Sequence, residues 1–489
     1  MEDVLLTNTY FTEFDPKQLK LMQPYPPLAT LYAANVLRSN NFTVAFFDTI
    51  FAHSPKEIFP LIEQHAGKPF IIYDDGFNYL TKMCLVNMRE ACFEMIRYAK
   101  KFNCTIIVSS SDATDHFKDY LNVGADYIIL GEAEITLLDL IKCINDSKSD
   151  ITSINGIVFK KGDDFRKTSS RAVLHDLDGI GFPAWDLVDM NAYRKIWKQK
   201  YGYFSLNITT TRGCPFKCNW CAKPIYGNRY NSRSPENVVE EIYLLINKYG
   251  ATHFWFCDDI FGLKPGWIKK FAELVQKGNL NIKYKIQCRA DLLLDENNIQ
   301  YLAESGCDEI WIGAESGSQK VLDAMDKGTS IQQIYLSTQL MKKHKIKPCF
   351  FLQFGYLGET KEDINKTIKM LFELMPYDIG ISVSYPLPGT KFYDIVQHDL
   401  KEKQNWNHSD ELAMMFHSTY SGNYYKQLHR YIHKRFRKAQ GFHGIKKIFS
   451  KPSEISNAEM KRIFALPYFI PMTYYTRLKL NIAHNREMN

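Results

Sequence analysis

The chain has 489 residues, of which 45% are hydrophobic and 24% are charged. This balance is typical of a folded globular protein and excludes a disordered or fibrous chain, and the length predicts two or three domains. The formal net charge of +7 is concentrated near the C-terminus, because residues 412–451 contain no Asp or Glu. This basic segment predicts a solvated amphipathic helix, with a phosphate- or membrane-facing surface as the alternative.

The first residues and the hydropathy of the chain favour a cytoplasmic protein. Residues 1–15 carry acidic side chains and no basic flank before an apolar run, so they do not resemble a targeting signal. No run of about 18 uninterrupted apolar residues is present. The 11 cysteines are therefore expected to be reduced thiols, most of them buried singly.

The first domain, residues 1–150, alternates short apolar runs with amphipathic segments. Strands are predicted at residues 3–8, 42–49, 69–75, 104–110 and 125–134, and helices at residues 27–41, 86–103 and 135–144. This βαβ succession predicts a doubly wound parallel sheet with a ligand site at the carboxyl ends of its strands.

A second βα series follows a linker over residues 151–202, which contains a predicted hairpin turning at Gly162 and Asp163. Residues 203–400 repeat a strand-like run six times, at a spacing of roughly 30 residues, which predicts a partial or complete (β/α) barrel. Residues 401–489 are predicted to form a helical C-terminal extension. Its first part offers a mixed aromatic lid over the barrel mouth, made of Trp406, His408, Met414, Met415, Tyr420 and Tyr424.

Three cysteines lie close together directly after the first predicted barrel strand. The segment CPFKCNWC places Cys214, Cys218 and Cys221 within eight positions of one another. A structural zinc site would need four ligands, and the nearest further thiol, Cys257, belongs to the next strand. Three thiolates can hold a compact cluster and leave one iron without a protein ligand. The spacing therefore favours an iron–sulfur cluster, with a zinc site or buried thiols as the alternative.

This CxxxCxxC segment, with an aromatic residue before its last cysteine, resembles the signature of the radical S-adenosylmethionine (SAM) superfamily. The resemblance implies a [4Fe-4S] cluster whose open iron binds the amino and carboxylate groups of SAM. It also implies that one-electron reduction cleaves SAM to a 5′-deoxyadenosyl radical. No catalytic residue beyond these cofactor ligands is predicted.

The ends of the next two strands carry residues that the resemblance assigns to SAM. Asp258 and Asp259 follow the second strand and are expected to contact the amino group of SAM. Arg289 follows the third strand and is a candidate partner for the SAM carboxylate through a bidentate fork.

The fourth and fifth strands end in further candidate contacts. Glu315 and Ser316 follow the fourth strand, where a carboxylate can accept hydrogen bonds from both ribose hydroxyls. The segment FGYLGET after the fifth strand resembles the adenosine-contacting motif of the superfamily, with Gly355, Gly358 and Glu359.

The N-terminal domain and the linker are similar to those of cobalamin-dependent radical SAM proteins, a group that includes methyltransferases and the anaerobic porphyrin-ring cyclase. The similarity is carried by PPLATLYAANVLRSNNFTVAFFD, ADYIILGEAEITLLDLI and LDGIGFPAWDL. It implies cobalamin as a third cofactor, bound base-off because the chain has no D-x-H-x-x-G loop. The glycine-rich turn of many relatives is replaced by Ser110, Ser111 and Asp112, which could hydrogen-bond the cofactor instead.

Four polar residues near the third strand, Asp74, Asp75, Asn78 and Tyr79, have two interpretations. They either face the cobalamin site or the barrel, or they form a polar turn with a helix cap.

The leading hypothesis is a radical SAM enzyme that abstracts hydrogen from an unactivated carbon and then methylates or oxidatively cyclises its substrate. The alternatives are a non-catalytic iron–sulfur or cobalamin sensor, and a methylthiotransferase-like modification of RNA or protein. The expected partners are a small, apolar substrate and an electron donor such as flavodoxin or ferredoxin, and no nucleic acid is indicated. The tail either contacts a membrane peripherally or packs over the barrel as a strap, which is favoured because Pro467 and Pro471 would interrupt a long helix.

Overall fold

A computed structural model of the protein describes residues 2–146 and 149–488. Its N-terminal part contains the strands β1 (Val4–Thr7), β2 (Val44–Phe47), β3 (Pro69–Tyr73), β4 (Thr105–Ser109), β5 (Tyr127–Ile129), β6 (Ile157–Lys161) and β7 (Asp164–Lys167). The helices between and after them are α1 (Pro16–Leu21), α2 (Leu28–Ser39), α3 (Phe59–Gln64), α4 (Val86–Lys100), α5 (Ser111–Asp115), α6 (Phe117–Val123), α7 (Glu134–Asn145) and α8 (Met190–Tyr201).

The N-terminal strands form one sheet in the order β2-β1-β3-β4-β5-β6-β7. The first five pair in parallel, and β1 and β3 are buried along their whole length, as expected when helices cover both faces. The predicted doubly wound sheet is therefore confirmed. Its strand order reverses between β1 and β3, which is where such sheets bind ligands.

The predicted hairpin at Gly162 is also present, but it does not stand apart from the sheet. Strand β6 pairs antiparallel with β5, and β7 pairs antiparallel with β6. The first part of the linker thus extends the N-terminal sheet.

The second half of the chain contains the strands β8 (Ser205–Ile208), β9 (Thr211–Arg212), β10 (Asn231–Ser232), β11 (His253–Phe256), β12 (Lys283–Cys288), β13 (Cys307–Glu315), β14 (Lys347–Phe354) and β15 (Asp378–Val383). Its helices are α9 (Pro235–Tyr249), α10 (Trp267–Lys277), α11 (Glu296–Glu304), α12 (Gln319–Ala324), α13 (Ile331–Lys343), α14 (Lys361–Leu374), α15 (Lys391–Val396), α16 (Gly422–Ser450), α17 (Asn457–Phe464) and α18 (Leu466–Met488).

The larger strands of this half form a parallel sheet in the sequential order β8-β11-β12-β13-β14-β15. The six repeats were predicted as a partial or complete barrel, and the structure is the partial form, since β8 and β15 are the two edges of the sheet. The short ribbon of β9 and β10 pairs antiparallel beside it. It brackets the loop that carries the three cysteines.

Helix α18 corrects the expectation that proline interrupts the tail. It runs continuously from Leu466 to Met488, with Pro471 inside it. Pro467 lies in the first turn, where a backbone N–H has no helical partner anyway, and Pro471 removes one hydrogen bond near that end. Packing offsets this loss, because Leu466, Thr473, Thr476 and Ala483 of α18 are buried.

The segment between the barrel and α16 returns to the N-terminal sheet. The Ser409 hydroxyl donates to Asp15 at 2.9 Å, and the backbone N–H of Val86 donates to the carbonyl of Trp406 at 2.8 Å. Trp406 and Met415, which were predicted as parts of a mixed aromatic lid, are fully buried. This segment therefore contacts the N-terminal half of the molecule, and its role as a lid over the barrel remains a prediction.

Candidate active site

The three cysteines lie on the loop between β9 and β10, next to the carboxyl end of β8. All three are free thiols of intermediate burial. The loop begins at Gly213, whose φ of +79° belongs to the left-handed region, and a Cβ atom there would lie 2.4 Å from the carbonyl oxygen of Arg229. Only glycine can therefore bring the start of this loop so close to the segment that precedes β10.

Cationic side chains surround the thiols. The Arg289 guanidinium lies 3.8 Å from the centre of the Phe216 ring, and its Nη1 is 3.7 Å from the sulfur of Cys218. Burial raises the pKa of the Cys221 thiol to about 12, while Lys223 and Lys82 act in the opposite direction. A set of thiolates with bound iron is anionic, so this cationic surrounding fits the predicted cluster.

The described residues, 2–146 and 149–488, contain no group of three His, Cys, Asp or Glu side chains close enough to hold one metal ion. The three thiols are thus not arranged as ligands of a single zinc ion. A cluster does not require that arrangement, because each thiolate binds a different iron.

The two aspartates after β11 have different surroundings. Asp258 is fully buried, and its carboxylate accepts hydrogen bonds from the N–H groups of Thr210 and Thr211 at 2.7 and 2.8 Å and from the Thr209 hydroxyl at 2.9 Å. Burial raises the pKa of Asp258 to about 6. These contacts fix the turn from β8 to the cysteine loop. Asp259 is partly exposed and forms an ion pair with Lys82.

The guanidinium of Arg289 is already held by a carboxylate. Its Nε and Nη2 donate to the two oxygens of Asp291, at 2.9 and 3.1 Å. The remaining nitrogen, Nη1, points at Cys218, so Arg289 lies against the cysteine loop. Its binding of the SAM carboxylate remains a prediction.

Glu315 ends β13 in a strained and crowded position. Its φ of +53° is in the left-handed region, which is uncommon for a non-glycine residue and is often found at functional sites. Its carboxylate accepts from Lys327 at 2.9 Å, and both side chains are buried. A Cβ atom at Gly313 would lie 2.5 Å from the Lys327 ammonium, so the glycine makes room for this pair.

The other residues predicted to contact the adenosine part of SAM are Ser316, Gly355, Gly358 and Glu359. In the structure they form hydrogen bonds with neighbouring groups of the chain. The Ser316 hydroxyl accepts from the N–H of Ser318 and lies 3.1 Å from the hydroxyl of Thr367. Glu359 is fully buried, and one of its oxygens accepts from the N–H of Gly355 at 2.6 Å. Burial raises the pKa of Glu359 to about 8. Gly358 directs its carbonyl to Lys320.

The carboxyl edge of the N-terminal sheet faces the cysteine loop across a small cavity of about 10 Å³, room for about one water. The cavity is lined from both sides, by Ala29, Tyr73, Asp74, Gly76, Thr81, Ser109, Ser110, Ser111, Ile225 and Tyr226. Within the described residues the buried Ser111 hydroxyl has no hydrogen-bond partner. Cobalamin, the predicted third cofactor, would lie at this edge of the sheet.

Most of the other polar groups at this edge are already paired. Asp74 accepts from the N–H and hydroxyl of Thr9 at 2.8 and 2.6 Å, and Asp75 accepts from the N–H of Ala29 at 3.1 Å. Asp112 accepts two hydrogen bonds from Arg89. The contacts of Asp74 and Asp75 match the interpretation as a polar turn with a helix cap.

A buried ion cluster connects this edge to the cysteine loop. Arg212, on β9 and two residues before Cys214, pairs with Glu132 and with Glu134. All three are at most 7% exposed. The guanidinium also lies 5.3 Å from the ring centre of Tyr226.

Sequence reasoning did not identify Lys82, Arg212 or Lys327 as parts of the site. Arg212 lies two residues before Cys214, so its position in the sequence could have indicated that it belongs to the site. Lys82 and Lys327 lie in polar segments that are indistinguishable from surface loops in the sequence, and only the fold brings them to the strand ends.

The comparisons with known proteins agree with this geometry. Residues 208–371 match the family model described as the radical SAM superfamily. An uncharacterised methyltransferase of Pyrococcus horikoshii is 27% identical over 283 residues, which cover 58% of this chain and 60% of the relative. The anaerobic magnesium-protoporphyrin IX monomethyl ester cyclase of Cereibacter sphaeroides is 26% identical over 303 residues, which cover 60% of this chain and 48% of the relative. The chain thus spans about half to three fifths of the length of these relatives.

A solved structure of OxsB, described as a cobalamin-dependent SAM radical enzyme with aqua-cobalamin and SAM bound, has a TM-score of 0.73 at 17% identity. The match covers 98% of this chain and 72% of OxsB.

The segment 208–371 is therefore a radical SAM domain, which confirms the resemblance of the CxxxCxxC segment and the prediction of a [4Fe-4S] cluster and SAM as cofactors. The chain as a whole has the fold shared by OxsB, with an N-terminal doubly wound sheet, a partial barrel and a helical extension.

Proposed function

We propose that this protein is a radical SAM enzyme that methylates or oxidatively cyclises a small substrate at an unactivated carbon. The observation that supports this most directly is the cysteine loop itself. Three thiols lie on one loop at the mouth of the partial barrel, and Arg289, Lys223 and Lys82 surround them. A sensor would need the cluster loop but not the candidate SAM contacts at successive strand ends.

In this proposal Cys214, Cys218 and Cys221 hold the cluster. When bound, the [4Fe-4S] cluster supplies the electron that cleaves SAM to a 5′-deoxyadenosyl radical. Asp259 binds the amino group of SAM, Arg289 binds its carboxylate, and Glu315 binds the ribose hydroxyls. Asp258 holds the turn between β8 and the cysteine loop in place, since its oxygens are already used by Thr209, Thr210 and Thr211. The closely packed loops on both sides exclude water from the radical.

We propose further that cobalamin binds between the carboxyl edge of the N-terminal sheet and the cysteine loop. The polar groups fit the amide-rich rim of a corrin, because Ser109 and Ser111 place hydroxyl groups along this edge and the Ser111 hydroxyl is buried without a partner among the described residues. The cavity of about 10 Å³ is too small for a corrin. Binding therefore requires the segment 76–83 to move away from Ile225 and Tyr226. When bound, cobalamin would supply a carrier for a methyl group.

The remaining partners follow from this chemistry. A one-electron reductant such as flavodoxin or ferredoxin delivers the electron, and the substrate is a small molecule of apolar character. The similarity to a methyltransferase and to a porphyrin-ester cyclase supports both outcomes of the radical step without choosing between them.

The test is anaerobic reconstitution with iron and sulfide, followed by strong reductant and SAM. We expect 5′-deoxyadenosine from the wild type, none from Cys214→Ser, Cys218→Ser or Cys221→Ser, and normal yield from Cys257→Ser, which replaces a buried thiol directly after β11. Retention of iron by a variant that lacks all three loop cysteines would contradict the proposal.

Cobalamin is tested separately by incubating the protein with hydroxocobalamin and then passing it through gel filtration. We expect a corrin spectrum to elute with the wild type and to be reduced in Ser111→Val. With cobalamin present, formation of S-adenosylhomocysteine indicates methyl transfer, whereas 5′-deoxyadenosine reports SAM cleavage only and does not distinguish methylation from cyclisation. No corrin in the protein fraction at saturating cofactor would contradict cobalamin binding but not SAM cleavage.

A further inference from the structure

Helix α18 exposes several large apolar side chains, whereas its buried residues apart from Leu466 are small. Four residues spaced seven, three and four positions apart lie along its outer side: Tyr468, Tyr475, Leu478 and Ile482, here called the outer stripe. Each member of the outer stripe is between 49% and 63% exposed. The inner side contains Thr473, Thr476 and Ala483, which are at most 5% exposed. An ordinary surface helix has the reverse arrangement, so the outer stripe indicates a surface that another body covers.

Further large apolar side chains are exposed in the helical extension. Phe464 at the end of α17, Tyr474 on α18 and Phe449 near the end of α16 are each more than 60% exposed. Exposed apolar side chains are therefore present on all three of these helices and not only in the outer stripe.

Cations lie beside the outer stripe. Arg477 and Lys479 are exposed and adjoin Leu478 in the sequence, which places them about 100° to either side of it around the helix. The ammonium group of Lys479 lies 4.7 Å from the ring centre of Tyr475, and that of Lys434, on α16, donates to the Tyr468 hydroxyl at 2.8 Å. Apolar rings and positive charges thus occupy one surface.

The charge of the whole extension shows which partner suits this surface. Residues 422–489 contain 14 Lys and Arg against three Asp and Glu. Residues 1–421 contain 47 Lys and Arg against 51 Asp and Glu. The excess positive charge of the protein therefore resides in this extension. A second copy of the chain would bring the same positive surface against itself, which charge repulsion disfavours. A partner with negative charge at its surface and an apolar interior is complementary.

We propose that the outer stripe docks the protein onto an anionic lipid bilayer. Tyr468 and Tyr475 lie at the level of the headgroups, Leu478 and Ile482 enter the boundary of the acyl chains, and Arg477 and Lys479 contact anionic headgroups. Helix α18 lies along the surface and remains packed on α16. No helix in the described part of the chain is long and apolar enough to cross a membrane. This inference does not depend on the proposed reaction.

The test uses the full chain and co-sedimentation with two kinds of vesicle, phosphatidylcholine alone and phosphatidylcholine with about one third phosphatidylserine. We expect binding to the mixed vesicles at low salt, at least about tenfold weaker binding to the neutral vesicles, and loss of the difference near 1 M salt because charges are screened. The double variant Leu478→Ser/Ile482→Ser should bind the mixed vesicles at least about tenfold more weakly.

Two further variants separate lipid binding from effects on the fold. Arg477→Ser/Lys479→Ser removes two surface charges and should weaken binding by roughly thirtyfold, on the scale of about 1 kcal/mol for each basic residue at an anionic surface. Ile395→Ser is the matched control, because Ile395 is 57% exposed but lies on α15. It should bind as the wild type does, and all variants should keep the wild-type circular dichroism spectrum.

Three results would overturn the proposal. The first is no sedimentation of the wild type with mixed vesicles at low salt, which would leave an acidic protein as the partner. The second is equal binding by the wild type and the two double variants. The third is a lipid-free dimer in light scattering that Leu478→Ser/Ile482→Ser dissociates, since the outer stripe would then bind a second copy.

Discussion

The ammonium group of Lys82 lies 2.5 Å from a carboxylate oxygen of Asp259. Lys82 belongs to the segment after β3 of the N-terminal sheet, and Asp259 follows β11 of the partial barrel. The ion pair therefore closes the space between the two candidate cofactor sites. Asp259 is also the predicted partner of the SAM amino group, so Lys82 holds the carboxylate with the same kind of charged group that SAM would present.

This contact predicts opposite effects of two substitutions on SAM binding to the reconstituted protein. Asp259→Asn should weaken binding by about tenfold or more, because a hydrogen bond between charged groups is lost. Lys82→Gln should strengthen it, because the competing ammonium group is removed. Equilibrium binding of SAM measures both. Asp326→Asn, which removes a carboxylate from an exposed pair with Lys391, is the control and should leave binding unchanged. Unchanged binding in Asp259→Asn would exclude Asp259 as a ligand.

Two glycines of the cysteine loop provide a matched test of its geometry. Gly213 and Gly227 both have φ near +70 to +80°, but a Cβ atom would meet the Arg229 carbonyl only at Gly213, while Gly227 has open space around it. We expect Gly213→Ala to lose most of its iron after reconstitution. Gly227→Ala should keep it, with a loss of stability of roughly 1 to 2 kcal/mol from the left-handed backbone alone. Equal iron contents in the two variants would show that the close approach at Gly213 is not required.

The buried ion cluster of Arg212, Glu132 and Glu134 predicts a large effect on stability. Arg212→Met leaves two carboxylates buried without their cation, which should lower the free energy of unfolding by about 3 to 5 kcal/mol. Arg38→Met removes the cation of an exposed pair with Asp186 and should cost at most about 1 kcal/mol. Denaturant unfolding followed by fluorescence compares them. A loss below about 1 kcal/mol in Arg212→Met would contradict this expectation.

Glu359 predicts a pH dependence of stability. Its pKa is raised to about 8 in the folded protein by burial, from an ordinary value of 4.5. The folded state therefore binds the proton more tightly, and this contribution is fully present below pH 4.5. It decreases as the pH rises from 4.5 to about 8, where it is lost, with a slope of up to about 1.4 kcal/mol per pH unit.

The substitution Glu359→Gln removes that titration and keeps an oxygen for the N–H of Gly355. We expect the melting temperature of the variant to fall less between pH 5 and pH 8 than that of the wild type. Other buried acids, such as Asp258 with its pKa raised to about 6, remain in both proteins. The difference between the two curves therefore isolates Glu359, and parallel curves would contradict its raised pKa.

The regular parts of the fold were predictable because they depend on local patterns. Each barrel strand is a short apolar run that is followed by a segment with helical periodicity. The close spacing of the three cysteines is by itself enough to place their thiols on one loop. The choice between Asp258 and Asp259 was not predictable. Successive side chains at a strand end point to opposite sides of the sheet. Only the fold shows that the carboxylate of Asp258, and not that of Asp259, is occupied by hydrogen bonds from Thr209, Thr210 and Thr211.

The contacts between the two halves could not be read from the sequence, because they join residues far apart along the chain. Lys82 is 177 residues from Asp259, and Arg212 is 80 residues from Glu132. The tail was misjudged for a different reason. The helix-breaking tendency of Pro471 is a local property, and packing of α18 on α16 overrides it.

The hydrogen bond between Asp15 and Ser409 has a consequence for how the protein is made. The two residues are 394 positions apart, and Asp15 is completely buried. At a synthesis rate of about 5 to 20 residues per second, Ser409 leaves the ribosome roughly 20 to 80 s after Asp15. During that interval the nascent N-terminal sheet presents a carboxylate and an uncovered patch that its own chain has not yet sealed. This contact of the N-terminal half is therefore completed only after residue 409 has been synthesised, and until then the surroundings of Asp15 lack the cover that Ser409 and its neighbours provide.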